Sequence, residues 1–244
     1  MGIKTLKKGD IYIKLKRWLL YFVLIAGLVF CAGCNRNLPS EANTISTPST
    51  QTIDTSPELD VEEIIPPIDT TGMYHISKPN SWISIPMEYS LLSREIDEFS
   101  DELIERQMSK DDLVSYLDAY GAEFVAISPD ENMEVMLKFK KTGFGSNNLS
   151  SQSEDVISGF AEGLQYSFGA KSYELIDLNG ITWVKLTYAQ SIMGSSIPAD
   201  VVRYVTVAGG WDIFLWGSSY NGKLTSQNIQ DLQTILESFI LNAK

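Results

Sequence analysis

Thiols and imidazoles are scarce in this chain of 244 residues. Both of its cysteines, Cys31 and Cys34, fall before residue 35. From there on a disulfide, a thiolate metal site and a cysteine nucleophile are excluded, so a folded unit has to stand on its hydrophobic core. His75 is the single histidine. A Ser-His-Asp triad would have to use it, and a multi-histidine zinc site cannot be built. Cations are short as well, with 19 Lys and Arg against 31 Asp and Glu. A long membrane span is also missing. The apolar run Trp18–Gly33 carries no charge, but at about 1.5 Å per residue it reaches roughly 24 Å, less than the ~30 Å hydrocarbon core.

What surrounds that run gives it a meaning. Lys4, Lys7, Lys8, Lys14, Lys16 and Arg17 precede it against one anion, Asp10, and small residues end it. A basic flank, a short apolar core and a small-residue exit are the three parts of a secretory signal. Cys31-Ala32-Gly33-Cys34 resembles the lipobox of bacterial lipoproteins, with Cys31 where Leu is usual. The resemblance implies a signal peptide over residues 1–33, cleavage before Cys34, and a diacylglyceryl anchor on Cys34. The expected location is the extracytoplasmic face of the cell membrane. Removing residues 1–33 takes away six cations and one anion, leaving 13 and 30, a formal charge of −17. A domain so acidic is repelled by nucleic acid and anionic headgroups and attracts basic protein surfaces, so no nucleic-acid partner is expected.

Residues 34–72 read as the lipidated cysteine and a flexible Pro/Ser/Thr-rich linker. Asn35–Thr71 holds five Pro, four Ser and seven Thr with no aromatic residue. Such a segment buries too little apolar surface to offset its ordering entropy. As a coil it spans roughly 35 Å, and its carboxylates extend it further. At Gly72 the composition changes. The four tryptophans after Trp18 all lie beyond it, and residues 73–244 read as one globular domain.

Met73–Met87 reads as two short strands around Pro79-Asn80, with Ile83 and Ile85 on one face and Trp82 and Ser84 on the other. Residues 94–120 are helical in pattern. Ile96, Phe99, Leu103 and Ile104 form one stripe; after Ser109, with Asp112 completing a capping box, Leu113, Tyr116, Leu117 and Tyr120 form another up to Gly121. A hairpin is expected over Glu123–Ser128 and Met133–Lys140, with Val125 and Ile127 sharing a face with Val135, Leu137 and Phe139. Its turn, Pro129–Asn132, offers oxygen ligands but lacks the spacing of a calcium loop. Gly143–Asn148 lacks the Gly-Lys-Ser/Thr of a phosphate cradle. Ser153 caps a helix with the stripe Val156, Ile157, Phe160, Ala161, Leu164 and Phe168, closed by Gly169. Asn179-Gly180 and Gly209-Gly210 each join a hairpin, Ser172–Leu178 with Ile181–Gln190 and Ala199–Ala208 with Trp211–Ser219. WDIFLW (211–216) is apolar on both parities, which requires cover on both faces of the sheet. Ser226 opens a last helix with Ile229, Leu232, Ile235, Leu236 and Phe239. The expected class is α+β: a mainly antiparallel sheet flanked by helices.

Trp82–Pro86, the paired late hairpins and Leu236–Phe239 carry a resemblance to the PsbP-like fold, an α/β/α sandwich. It covers about residues 73–242. Its members include an extrinsic photosystem II subunit, a Ran-binding nuclear-import factor and many short bacterial lipoproteins. The resemblance implies a protein-binding or assembly module and brings no catalytic residue. The expected function is therefore a non-catalytic module, not an enzyme, with no cofactor and no metal. Its partners are the membrane through Cys34 and an unidentified envelope protein. Two alternatives were open. A carboxylate-based cell-wall hydrolase has acids in Asp97/Glu98, Asp101/Glu102 and Asp111/Asp112, but adjacent residues on a helix do not face each other across a cleft. A solute-binding lipoprotein could line a groove with Trp183, Trp211 and Trp216, although core packing explains these more simply.

Overall fold

A computed structural model describes residues 71–77, 79–143, 148–191, 197–220 and 222–241. The expected signal segment, Cys34, the expected linker up to residue 70 and most of the 143–148 loop lie outside the described residues. The strands are β1 (Tyr74–Ser77), β2 (Asn80–Ile83), β3 (Ser90–Ser93), β4 (Phe124–Ile127), β5 (Met133–Lys141), β6 (Tyr173–Leu178), β7 (Ile181–Gln190), β8 (Ala199–Ala208), β9 (Trp211–Ser219) and β10 (Ile240–Leu241). The helices are α1 (Asp101–Glu105), α2 (Lys110–Tyr120), α3 (Glu154–Phe168) and α4 (Ser226–Glu237), with a 3₁₀ turn at Leu149–Ser151. The fold is α+β, as expected.

Seven strands form one antiparallel sheet in the order β3-β4-β5-β9-β8-β7-β6, and β1, β2 and β10 form a second, small one. The large sheet separates two cores. On one face Phe124, Val135, Leu137, Trp183, Tyr204, Ile213 and Leu215 pack against Leu232, Ile235 and Leu236 of α4 and against Ile76 and Ile83 of the small sheet. On the other, Val125, Met136, Val184, Leu186 and Trp216 pack under Leu103 of α1, Leu113 and Leu117 of α2, Leu149 of the 3₁₀ turn and Ala161 of α3. Three layers result, because the middle strands have no polar face to give to water. Gly217 lets α4 lie close on the sheet. A Cβ there would stand 2.8 Å from the Met133 sulfur and 3.0 Å from Leu232 Cδ2.

Several local expectations hold. Asn179 and Gly180, and likewise Gly209 and Gly210, take positive φ in two-residue turns whose twist matches their strands. Ser109 and Asp112 form the capping box at the start of α2, and Gly121 ends it with φ 63°. Ile83 and Ile85 face the core while Ser84 is exposed.

Others are corrected. The β4–β5 register pairs Phe124 with Leu137 and Ala126 with Val135, so Val125 and Ile127 share the opposite face with Met136 and Glu134. Both parities of β4 are apolar, so nothing in the strand itself distinguished the two registers. The stripe over 94–104 breaks up: Phe99 is 74% and Ile104 60% exposed. Asp97 accepts a hydrogen bond from Phe99 N in a local turn, Ser100 caps the short α1, and Gln107 at φ 49° ends it. Val156 is exposed, Ser153 makes no side-chain cap bond, and Phe239 lies beyond the end of α4. Strands β3 and β10 were not expected.

The three-layer arrangement predicts that neighbours on β5 are equally costly to truncate. Met136 and Leu137 point into opposite cores and are both fully buried. Met136→Ala and Leu137→Ala should each lose about 2–5 kcal/mol in chemical denaturation. A loss below about 0.5 kcal/mol at either position, as at an exposed site, contradicts a sheet covered on both faces.

Candidate functional site

Three charged side chains project from the large sheet into the second core, and each is accommodated differently. Cross-strand register sets them in successive rows: Ile127–Glu134–Ser218–Val201, then Val125–Met136–Trp216–Arg203, then Lys138–Phe214–Val205.

Glu134 is 8% exposed. Its carboxylate accepts three hydroxyl hydrogen bonds, from Tyr116 of α2 at 2.7 Å, from Tyr220 at 2.8 Å and from Ser218 at 2.8 Å. Burial pushes its pKa above the usual glutamate range, and the three hydroxyls oppose that shift. Burial and then the Glu134 charge hold the Tyr116 phenol well above its ordinary value; the same causes act at Tyr220. Both therefore remain O–H donors. The group ties α2 to β5 and to the end of β9.

Lys138, two rows along, donates from Nζ to the Tyr120 carbonyl at 3.0 Å, where the C-terminus of α2 presents negative charge. Desolvation lowers its pKa, and Arg203 lowers it further.

Arg203 is the third. Its guanidinium carbon lies 4.3 Å from the centre of the Phe168 ring, 4.9 Å from Trp216 and 5.8 Å from Tyr188. Phe168 in turn stacks on Tyr188 at 5.7 Å. Its Nε is buried without a hydrogen-bond partner, and no carboxylate pairs with it among the described residues. Desolvation lowers its pKa. A cleft of about 380 Å³ opens onto this group, lined by Ser167 and Phe168 of α3, by Tyr188, Ala189, Gln190 and Ser191 around the end of β7, and by Arg203 itself. This is the candidate site: one cation, an aromatic wall and a rim of hydroxyl and amide groups.

The residues singled out from sequence fall elsewhere. Cys34 lies outside the described residues. Trp183 and Trp216 sit on opposite faces of the sheet and so do not line one groove. Trp211 packs beside Phe139 with Lys141 over its ring at 3.9 Å. Asp97, Glu98, Asp101, Glu102, Asp111 and Asp112 are all exposed, with Asp112 committed to its capping box. His75 is exposed, 2.9 Å from Asn80 Oδ1, and packs on Trp82. Asp130 accepts from Ser128, Asn132 N and Asn228, chiefly through Ser128 keeping its pKa below the usual range. Its oxygens thus join the β4–β5 turn to the start of α4. Among the described residues no group of three or more His, Cys, Asp or Glu is placed to hold a metal ion. Nor is any described helix long and apolar enough to cross a membrane.

Sequence reasoning passed over Glu134 and Arg203. A signal existed in each case: MEVMLKF and VVRYVTVA are apolar on both parities and each contains a charge that shares its parity with buried neighbours.

No protein-family model matches the chain, and no curated protein matches it. Among solved structures it is similar to a crystal structure from Bacteroides thetaiotaomicron VPI-5482, with 8% identity and a TM-score of 0.37. The match covers 66% of this chain and 45% of that one, so the chain spans less than half of that protein's length. A likeness this distant lends neither fold nor function.

The raised pKa of Glu134 gives a pH dependence of known sign. A carboxyl that binds its proton more tightly when folded contributes stability below the unfolded value of about 4.3 and loses it as pH rises through the folded value. Wild type should therefore lose stability relative to Glu134→Gln between pH 4 and pH 7 in urea titrations. Shifts at Glu95, Glu123 and Asp130 are common to both proteins and cancel. A difference that stays constant, or grows in favour of wild type, contradicts this account.

Proposed function

We propose that this chain is a membrane-anchored extracytoplasmic lipoprotein whose globular domain is a non-catalytic binding or assembly module. The observation that carries the reading is Cys34, which stands behind a basic flank and a short uncharged apolar run that ends in Ala-Gly-Cys. Two acyl chains on that cysteine make a stable anchor where one does not. The Pro/Ser/Thr-rich segment that follows sets the domain at a distance from the membrane, where a partner in the envelope can reach it. A formal charge of −17 over residues 34–244 suits a partner with a basic surface. The resemblance to the PsbP-like fold supports the same reading, since its members mainly bind proteins or assist assembly.

A second reading, a solute-binding lipoprotein, has one observation in its favour, the cleft over Arg203. The hydrolase alternative gains nothing comparable, because its paired acids lie exposed on the helical side of the domain.

Metabolic labelling with a clickable fatty acid tests the anchor. The wild-type chain should be marked and Cys34→Ala should be unmarked and keep its signal segment. Equal labelling of the two, or an uncut wild-type chain, would sink the lipoprotein reading and leave a short apolar anchor in its place.

A further inference from the structure

We propose that the cleft over Arg203 is a carboxylate-binding site, in which a planar monoanion docks against the N–H edge of the guanidinium. The inference deepens the binding-module reading by naming what the module takes.

The chemistry follows from how Arg203 is held. Phe168, Trp216 and Tyr188 present ring faces within cation–π range of its central carbon. Ring faces offset the positive charge but give its directional N–H donors nothing to bond. A guanidinium carries five such donors in one plane. Here Nε is buried without a partner, and Arg203 forms no ion pair among the described residues. A buried donor without an acceptor is costly, and native structures keep few of them. Glu134 and Lys138 are satisfied within the protein, the first by three hydroxyls and the second by a helix end. Arg106 Nε, Tyr204 Oη and Asp212 Oδ1 are also buried without a partner, but of these side chains Arg203 is the one that lines the cleft.

Shape and charge then narrow the ligand. The acceptor that matches a guanidinium edge is a planar, two-oxygen group, bound through paired hydrogen bonds. A tetrahedral phosphate also fits such a fork, but as a dianion it asks for a second cation. Lys138, whose pKa the Arg203 charge lowers, already donates to Tyr120. The strongly acidic domain repels multiple negative charge. One guanidinium matches one carboxylate. Ser167, Gln190 and Ser191 supply hydroxyl and amide groups for the polar part of the ligand, while Phe168 and Tyr188 offer an apolar wall. At about 380 Å³ the cleft is near the small end of ligand sites. It accommodates a small organic acid or the carboxyl end of a peptide, not an extended polymer.

Calorimetric titration of the full chain in detergent tests the proposal with four probes: propionate, N-acetyl-alanyl-alanine, the C-terminal amide of that dipeptide, and inorganic phosphate. At least one carboxylate should bind saturably, and the dipeptide acid should bind at least tenfold more tightly than its amide. Arg203→Lys keeps the charge and loses the fork, so it should weaken carboxylate binding at least tenfold with its thermal midpoint monitored by circular dichroism. Should that variant misfold, the acid–amide comparison in wild type still decides. Binding of propionate as tight as that of the dipeptide assigns a small solute; binding of the dipeptide alone assigns a chain end. The proposal is overturned if acid and amide bind alike, if folded Arg203→Lys binds the acid as tightly as wild type, if no carboxylate binds by about 10 mM, or if phosphate binds more tightly than either carboxylate. Fatty-acid labelling at Cys34 is independent of all these outcomes, so the anchor and the cleft can fail separately.

Discussion

The middle strands of the large sheet have no face to spare for water, and the rest of the domain follows from that constraint. Ile213 and Leu215 of β9 face one core while Phe214 and Trp216 face the other. A strand of this kind is stable only if both sides of the sheet are covered. Helix α4 and the small sheet cover one side, and α1 to α3 with the 3₁₀ turn cover the other. Even the position of α4 depends on β9, since Gly217 leaves the space that Leu232 and Met133 fill. With no thiol after residue 34, these two cores are the means of holding the fold among the described residues.

The same constraint shaped what could be read from the sequence. The late hairpins were legible because Asn179-Gly180 and Gly209-Gly210 fix their turns locally, and their strands are long. Ser109 and Gly121 mark the ends of α2 by equally local chemistry. The β4–β5 hairpin was harder. FVAI is apolar at every position, so alternation could not say which pair of residues faced which core, and a slip of one residue reversed them. Strand β3 is four residues, Ser-Leu-Leu-Ser, and forms only because β4 lies beside it, some thirty residues later in the chain. Strand β10 depends on β2 across most of the domain. Elements defined by distant partners leave little trace in their own residues.

The candidate site was less legible than the fold for a related reason. Arg203 reads as one charge in an apolar strand. What distinguishes it is Trp216 directly across on β9, Tyr188 on β7, and Phe168 from α3. None of these is near it in sequence. The tryptophans expected as a possible groove are separated by the sheet, because the alternation of side chains along β7 and β9 sends Trp183 and Trp216 to opposite cores.

Glu134, Lys138 and Arg203 together show how a largely apolar face holds charge. A buried ion costs free energy unless its hydrogen bonds are completed. Glu134 is completed by three side chains from two segments, α2 and the end of β9, which makes it a joint: the carboxylate fixes where α2 and Tyr220 lie relative to β5. Lys138 is completed by the carbonyl end of α2, and Gly121 stands close enough that a Cβ there would meet its amine at 3.1 Å. These two charges are thus part of the packing of one helix. Arg203 lies two strands away on β8, under α3 instead of α2, with the faces of Phe168, Trp216 and Tyr188 against it. Aromatic contact holds the cation in place without using its donors, so the side chain is ordered before any partner arrives. An ordered side chain loses little further entropy when an acceptor binds. A guanidinium fixed in this way, beside an open cleft, is already arranged to receive an acceptor, whereas the other two charges have theirs built in.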